Sequence, residues 1–229
     1  MAILSLALYG SRARGDFNNF SDIDLFAVTN EDHYKMIVDG SSNLACYPEK
    51  LALQRADSGD LFILHICEEA KEIYCDGFGI ESIRSAFRYK DDYMHEKLCA
   101  ADLAWFLMDF SSSFRNVFLL NKRMAWCVRT ILIASSAEVR NPIFSREDLA
   151  SFSGEEKVGK FIMLKDSSNL DLLIFKDIED FLINFGFQRP KLNDLSRNAY
   201  WKRFKQNKNA MGIKTFMAMA NDEAPFSYS

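Results

Sequence analysis

The chain has 229 residues, of which 48% are hydrophobic and 26% are charged, and its formal net charge is −4. This length predicts a sizeable hydrophobic core and about two modest domains. The slightly negative charge excludes a global electrostatic attraction to nucleic acid, so any RNA or nucleotide contact has to come from local basic patches. The sequence has no apolar run of the length needed to cross a bilayer, and no membrane partner is expected.

The cysteines are odd in number, scattered along the chain and without the paired spacing of a metal site. We therefore expect them to be reduced and mostly buried in a cytoplasmic protein. The first apolar run is too short for a secretion signal and has no basic residues before it, which favours a structural strand. The cysteines are Cys46, Cys67, Cys75, Cys99 and Cys127.

The stretch Leu4–Val28 carries the strongest functional pattern. A predicted strand, Leu4–Tyr9, runs into a small-residue turn at Gly10 and Ser11, and a second predicted strand carries Asp22 and Asp24. Side chains at i and i+2 of a strand point to the same face, so the two carboxylates would repel each other unless a cation lies between them. This pattern favours a magnesium ion, with exposed N–H groups of the Gly10 turn available to a triphosphate.

The sequences LYGS (residues 8–11) and DIDL (residues 22–25) resemble the signature of nucleotidyltransferases of the DNA polymerase beta superfamily. The longer forms GSRARG and SDIDL are typical of its minimal bacterial members, which include antibiotic nucleotidyltransferases and antitoxin-type enzymes. The resemblance continues through PEKL and GDLFILHI to EIYCD, up to residue 76.

This resemblance implies an α+β fold: a nucleotidyltransferase-type mixed β-sheet with flanking helices in residues 1–90, followed by a helical substrate- or partner-binding domain in residues 91–229. It implies transfer of a nucleoside monophosphate from an NTP, ATP being the expected one, to an acceptor hydroxyl (EC 2.7.7 type). Mg²⁺ is the expected cofactor, with Mn²⁺ as an alternative. Asp22 and Asp24 are the predicted metal ligands and catalytic residues, and Gly10, Ser11, Arg12 and Arg14 the predicted nucleotide-binding residues.

After the second part of the motif, the sequence pattern alternates between strands and helices. A polar turn and a loose segment follow Val28, and a third strand, Asn43–Tyr47, stops at Pro48. Pro48 opens a helix, because its missing N–H costs nothing in a first turn. A helical block at residues 61–66 and a short strand at 72–76 complete this part.

One position departs from the family pattern. Active members carry a third carboxylate on the strand after the Asp-x-Asp strand, and the corresponding residue here is Asn43, with Asp39 or Glu49 as alternatives. An amide offers an oxygen to a metal but is no general base near neutral pH. Three explanations stay open: a base recruited from elsewhere, a slow enzyme with two carboxylates, or a catalytically degenerate nucleotide-binding or interaction module.

Residues 91–229 change to helical periodicity. Helices are predicted at 93–108, 118–139, 146–152, 155–166 and 170–185. The basic and aromatic tail at 200–208 favours a helix that closes the core over an RNA-binding segment. A small molecule or a protein is therefore the favoured acceptor and RNA the less favoured one, whereas the oligomeric state is open.

Overall fold

The computed structural model describes residues 2–18 and 21–223. Residues 1, 19, 20 and 224–229 lie outside this range; they include part of the segment between the LYGS and DIDL motifs and the end of the predicted helical domain. The described chain divides into two compact units. The first comprises Met1–Asp92 with Ser136–Ser145, and the second comprises Tyr93–Ser135 with Arg146–Ser229. The division into domains at residues 1–90 and 91–229 stays a prediction.

The first unit is built on a mixed sheet of five strands in the order β3-β4-β2-β1-β5. Strands β2 and β4 pair in parallel, and the other three pairs are antiparallel. The predicted α+β class with an N-terminal mixed sheet is thus confirmed. The strands are β1 Ile3–Tyr9, β2 Ile23–Thr29, β3 Lys35–Asp39, β4 Ser42–Pro48 and β5 Lys71–Cys75.

Helices flank this sheet, as the sequence predicted. One face of the sheet carries the buried side chains of Ala7, Phe26, Ala45 and Tyr47, and the buried residues of the helices pack in the same core cluster. The helices of the first unit are α1 Ser11–Arg14, α2 Glu49–Asp57, α3 Leu61–Glu69 and α4 Ile80–Ala86.

The second unit is helical. Its helices are α5 Met94–Asp109, α6 Val117–Glu138, α7 Arg146–Ser153, α8 Val158–Met163, α9 Leu172–Asn184, α10 Arg197–Gln206 and α11 Ala210–Glu223, with 3-10 turns at Ser111–Ser113 and Leu164–Asp166. The last three residues of α6 are grouped with the first unit. The five predicted helices are observed with shifted ends, and the predicted segment 155–166 is divided into α8 and a 3-10 turn.

The basic tail contributes a helix to the core of the second unit. Tyr200 and Phe204 of α10 are fully buried, and their rings lie 5.4 and 5.5 Å from the ring of Phe106 on α5. The charged residues Lys202 and Lys205 of the same helix are exposed. The favoured interpretation of this tail, a helix that closes the core, is therefore confirmed.

No helix in the two described stretches of the chain combines the length and the apolar character that crossing a membrane requires.

Candidate functional site

Three strands bring Tyr9, Asp24 and Asn43 side by side at one end of the sheet. Tyr9 of β1 is the register partner of Asp24 of β2, and Asp24 is the register partner of Asn43 of β4. Register partners on neighbouring strands project from the same face. Two residues further along, Phe26 and Ala45 are partners on that face and are fully buried. Asp24 and Asn43 therefore lie at the margin of the face that forms the core.

Gly10 makes the turn that meets Asp24. Its backbone has φ +73° and ψ −155°, a conformation that residues with a Cβ rarely adopt. A Cβ at this position would lie 3.1 Å from Asp24 Oδ2, so the absence of a side chain leaves room for the carboxylate against the turn. The Gly10 carbonyl accepts bonds from the N–H groups of Ala13 and Arg14, each at 3.0 Å, which starts α1 at this point.

Asn43 lies beside Asp24 on the neighbouring strand, at the position expected for the third carboxylate. Its Nδ2 donates to Asp24 Oδ1 at 3.1 Å. The alternatives do not reach this place: Asp39 pairs with Ser42 and so belongs to the opposite face, and Glu49 lies six residues beyond Asn43, roughly 20 Å along the extended strand direction. The residue beside Asp24 is therefore an amide, which holds the carboxylate by a hydrogen bond but takes no proton at neutral pH.

Asp22 is exposed and lies one residue before β2. Its predicted place within the strand was wrong, because sheet pairing begins at Ile23, whose N–H donates to the Ser41 carbonyl at 2.8 Å. Arg12 instead holds the backbone here. Its Nη2 donates to the Ser21 carbonyl at 2.9 Å, and its Nε donates to the Asp22 carbonyl at 3.2 Å. Arg12 thus fixes the approach to β2 from the other half of the motif.

Arg14, the second arginine predicted to bind the nucleotide, forms ion pairs with two carboxylates of the first unit. Its Nη1 donates to Glu69 Oε2 at 2.6 Å, and its Nε donates to Asp16 at 3.1 Å. The Glu69 side chain is 9% exposed, so this is a largely desolvated ion pair that ties α1 to α3. A phosphate would have to compete with Glu69 for this guanidinium.

The sequence reasoning missed the role of Glu69. The same Oε2 atom lies 2.6 Å from His65 Nε2, one helical turn earlier on α3. The His65 ring stacks on Phe144 with centroids 4.3 Å apart and meets the Tyr9 ring edge-on at 5.4 Å. The i, i+4 spacing of a histidine and a glutamate was the available signal, but the partner Arg14 lies 55 residues away in the sequence.

Two tyrosines on the site face stay protonated at neutral pH. Burial, reinforced by the negative charge of Asp24, raises the pKa of Tyr9 well above its ordinary value. Burial likewise raises the pKa of Tyr47 to about 12, although Arg55 opposes the shift. Neither phenol is therefore a general base for an acceptor hydroxyl.

The carboxylates of Asp22 and Asp24 are the side chains that could hold a magnesium ion. Mg²⁺ prefers hard oxygen ligands and is commonly bound by one or two carboxylates together with substrate phosphates and waters. The Asp24 carboxylate, seated in the space left by Gly10, and the exposed Asp22 offer such oxygens. Within residues 2–18 and 21–223 the structure contains no group of three or more His, Cys, Asp or Glu side chains that could hold a metal ion.

Residues 2–90 match the family model described as "Nucleotidyltransferase domain". The predicted resemblance of the N-terminal region is thereby confirmed, and this domain supports nucleotidyl transfer in general. Among solved structures, the chain matches a nucleotidyltransferase-like protein from Exiguobacterium sibiricum 255-15 with 12% identity and a TM-score of 0.29, over 95% of this chain and 86% of that one. No curated protein sequence matches the chain.

Proposed function

We propose that this chain, whose residues 2–90 match the nucleotidyltransferase domain, transfers the nucleoside monophosphate group of a magnesium-bound NTP to an acceptor hydroxyl. ATP is the expected nucleotide. In the proposed reaction the acceptor oxygen bonds to the α-phosphorus, the α–β bridging P–O bond breaks, and pyrophosphate leaves with the electron pair. The proposal rests on the position of Asp24 Oδ2, which packs against the Gly10 turn where a side chain would otherwise stand.

Each part of the motif has a role in this proposal. Asp24 and Asp22 would hold the metal, which when bound offsets phosphate charge and orients the reacting oxygens. The backbone N–H groups at Gly10 and Ser11 would receive the phosphate tail. Arg12 would keep the Asp22 backbone next to the turn, as its bonds to the Ser21 and Asp22 carbonyls indicate.

Proton removal from the acceptor is the weak step of the proposed reaction. Asn43 has no basic atom, and the raised pKa of Tyr9 keeps that phenol neutral. The acceptor proton would therefore pass to water or to a phosphate oxygen, and turnover would rest on positioning and charge stabilisation. We expect slow turnover with a small molecule or a protein as acceptor; RNA is the less favoured acceptor, and a cytoplasmic location stays a prediction.

The test is the pair Asp24→Asn and Asp57→Asn. Asparagine keeps the shape of Asp24 and still accepts from Asn43 Nδ2, so the fold should persist while the charge is lost. Asp57 is an exposed aspartate of the same unit at the end of α2. With α-labelled ATP, Mg²⁺ and a panel of acceptors, we expect Asp24→Asn to lower nucleotide incorporation about 100-fold or more.

The Asp57→Asn variant should match the unsubstituted protein. Loss of incorporation in both variants, or in neither, would contradict the assignment of Asp24. Circular dichroism of each variant separates loss of chemistry from loss of fold.

A second candidate is a nucleotide-binding module without catalysis. The Asn43 to Asp24 hydrogen bond and the lack of a carboxylate trio among the described residues favour it. It predicts Mg²⁺-dependent nucleotide binding that Asp24→Asn abolishes, with no incorporation into any acceptor by the unsubstituted protein. Calorimetric titration with a non-hydrolysable ATP analogue beside the incorporation assay distinguishes the two candidates.

A further inference from the structure

Strand β3 forms one edge of the sheet and pairs only with β4 among the described strands. Four of its five residues are exposed, including Met36 at 46% and Val38 at 64%. An edge strand with exposed apolar side chains offers unpaired backbone groups for the addition of another strand. Lys35 and Asp39, which carry opposite charges, lie at its two ends.

The sequence of β3 is complementary to itself. If KMIVD is laid antiparallel to a second KMIVD about Ile37, Lys35 opposes Asp39, Met36 opposes Val38, and Ile37 opposes Ile37. The charged ends and Ile37 then share one face of the joined sheet, while Met36 and Val38 share the other. Both charges find an opposite partner, and each apolar side chain meets another.

A register shifted by one residue does not satisfy the same groups. A shift of one residue sets Lys35 against Val38 and Met36 against Ile37, which leaves the charges without partners and moves side chains to the wrong face. The opposite edge, β5, has the sequence KEIYC, and its antiparallel self-pairing about Ile73 sets Lys71 against Cys75. Self-complementarity therefore distinguishes β3 from the other edge.

We propose that two copies of this chain associate through antiparallel β3–β3 pairing about a two-fold axis at Ile37. Such an isologous contact uses the same patch on both subunits and closes on itself, so it gives a dimer and no filament. The joined sheet has ten strands. Because two five-residue edges bury less than the roughly 1,200 Å² typical of stable complexes, the dimer is weak and depends on concentration.

Charge reversal tests the register directly. In sedimentation velocity between about 2 and 200 µM, the unsubstituted protein should shift from monomer to dimer. Lys35→Asp replaces both attractive cross-strand pairs by repulsive ones and should weaken association about 10-fold or more. Asp39→Lys should do the same, and the double variant Lys35→Asp with Asp39→Lys should restore dimerisation.

Lys71→Asp is the matched control, since Lys71 is an exposed lysine on the opposite edge strand and should leave the dimer unchanged. A protein that stays monomeric over the whole range overturns the proposal. So does a dimer that Lys35→Asp leaves intact, or one that Lys71→Asp disrupts.

Cross-linking gives a second measurement that does not depend on the charge variants folding. In a Cys75→Ser background, which removes the exposed native thiol, Ile37→Cys places two thiols on opposed residues with Cα atoms about 4.5–5.5 Å apart, within disulfide reach. Val38→Cys is the control, because two copies of residue 38 are offset by two residues, roughly 8 Å between Cα atoms. Oxidation should give covalent dimer for Ile37→Cys alone; equal yields or no product would refute the register.

Discussion

Replacing Gly10 by alanine tests the contact on which the site rests. The added Cβ would lie 3.1 Å from Asp24 Oδ2, so the carboxylate or the turn must move by a few tenths of an ångström. The backbone, with φ +73° and ψ −155°, also becomes strained, at a cost of about 1–3 kcal/mol. For a chain of this size that cost lowers the melting temperature by roughly 2–12 °C.

Gly15 supplies the matched control. It caps α1 with φ +96°, and apart from Gly15 and its two chain neighbours no atom of the described residues lies within 4 Å of the position of an added Cβ. Gly15→Ala therefore brings backbone strain without touching Asp24, and we expect a smaller loss of stability than in Gly10→Ala, measured by thermal denaturation. Titration with a Mg²⁺–ATP analogue should show binding weakened about 10-fold or more in Gly10→Ala alone, because the carboxylate is displaced. Equal binding by both variants would refute the argument.

The other predictions concern single contacts. Glu69→Gln removes the charge that pairs with Arg14 and should cost about 1–2 kcal/mol in chemical denaturation, whereas the exposed neighbour Glu68→Gln should cost almost nothing. Gly212→Ala places a Cβ 2.7 Å from the buried Phe204 ring and should lower the free energy of unfolding by about 1–3 kcal/mol; unchanged stability would contradict this packing. Gly159→Ala, the control, adds a Cβ in open space within a helix and should stabilise the protein slightly. Burial raises the pKa of Cys67 to about 12 and of Cys99 to about 11, so the folded state keeps protons that the unfolded chain releases. Stability should therefore be full below about pH 8.5 and fall as the pH rises towards 11, and at pH 8 a thiol reagent should modify the exposed Cys75 before either of them.

The sequence predicted those elements whose periodicity is strong. The strands β1 and β4 and the helices α2 and α3 begin and end within a few residues of their expected positions, since an apolar alternation or a proline marks them. Helix α4 was not predicted, because its position depends on distant partners: Glu72 Oε1 accepts from the Ile80 N–H, and Arg84 donates to the Cys67 and Ala70 carbonyls. The local sequence pattern of residues 80–86 does not indicate such contacts.

The candidate site divides in the same way. Gly10 and Asp24 were found from the motif, and the register of β1 and β2 brings them together. The engagement of Arg14 by Glu69 was not found, because sequence spacing marks neighbours within a helix and not ion pairs between helices. The predicted phosphate contact of Arg14 stays a prediction. It would require Arg14 to weaken or share its ion pair with Glu69.

Asn43→Asp decides what the missing carboxylate means. An aspartate here would face Asp24 where a 3.1 Å hydrogen bond now lies, so two like charges would replace a donor and an acceptor. Without Mg²⁺ the variant should be less stable than the unsubstituted protein at pH 7, and Mg²⁺ should restore stability by screening the pair. If proton removal limits the proposed transfer, incorporation of labelled nucleotide should rise by roughly 100-fold or more, the usual contribution of a general base. Asn43→Ala, which loses the hydrogen bond without adding a charge, is the control and should show no gain. A Mg²⁺-rescued Asn43→Asp variant that binds nucleotide but transfers none would refute the transferase and leave the binding module.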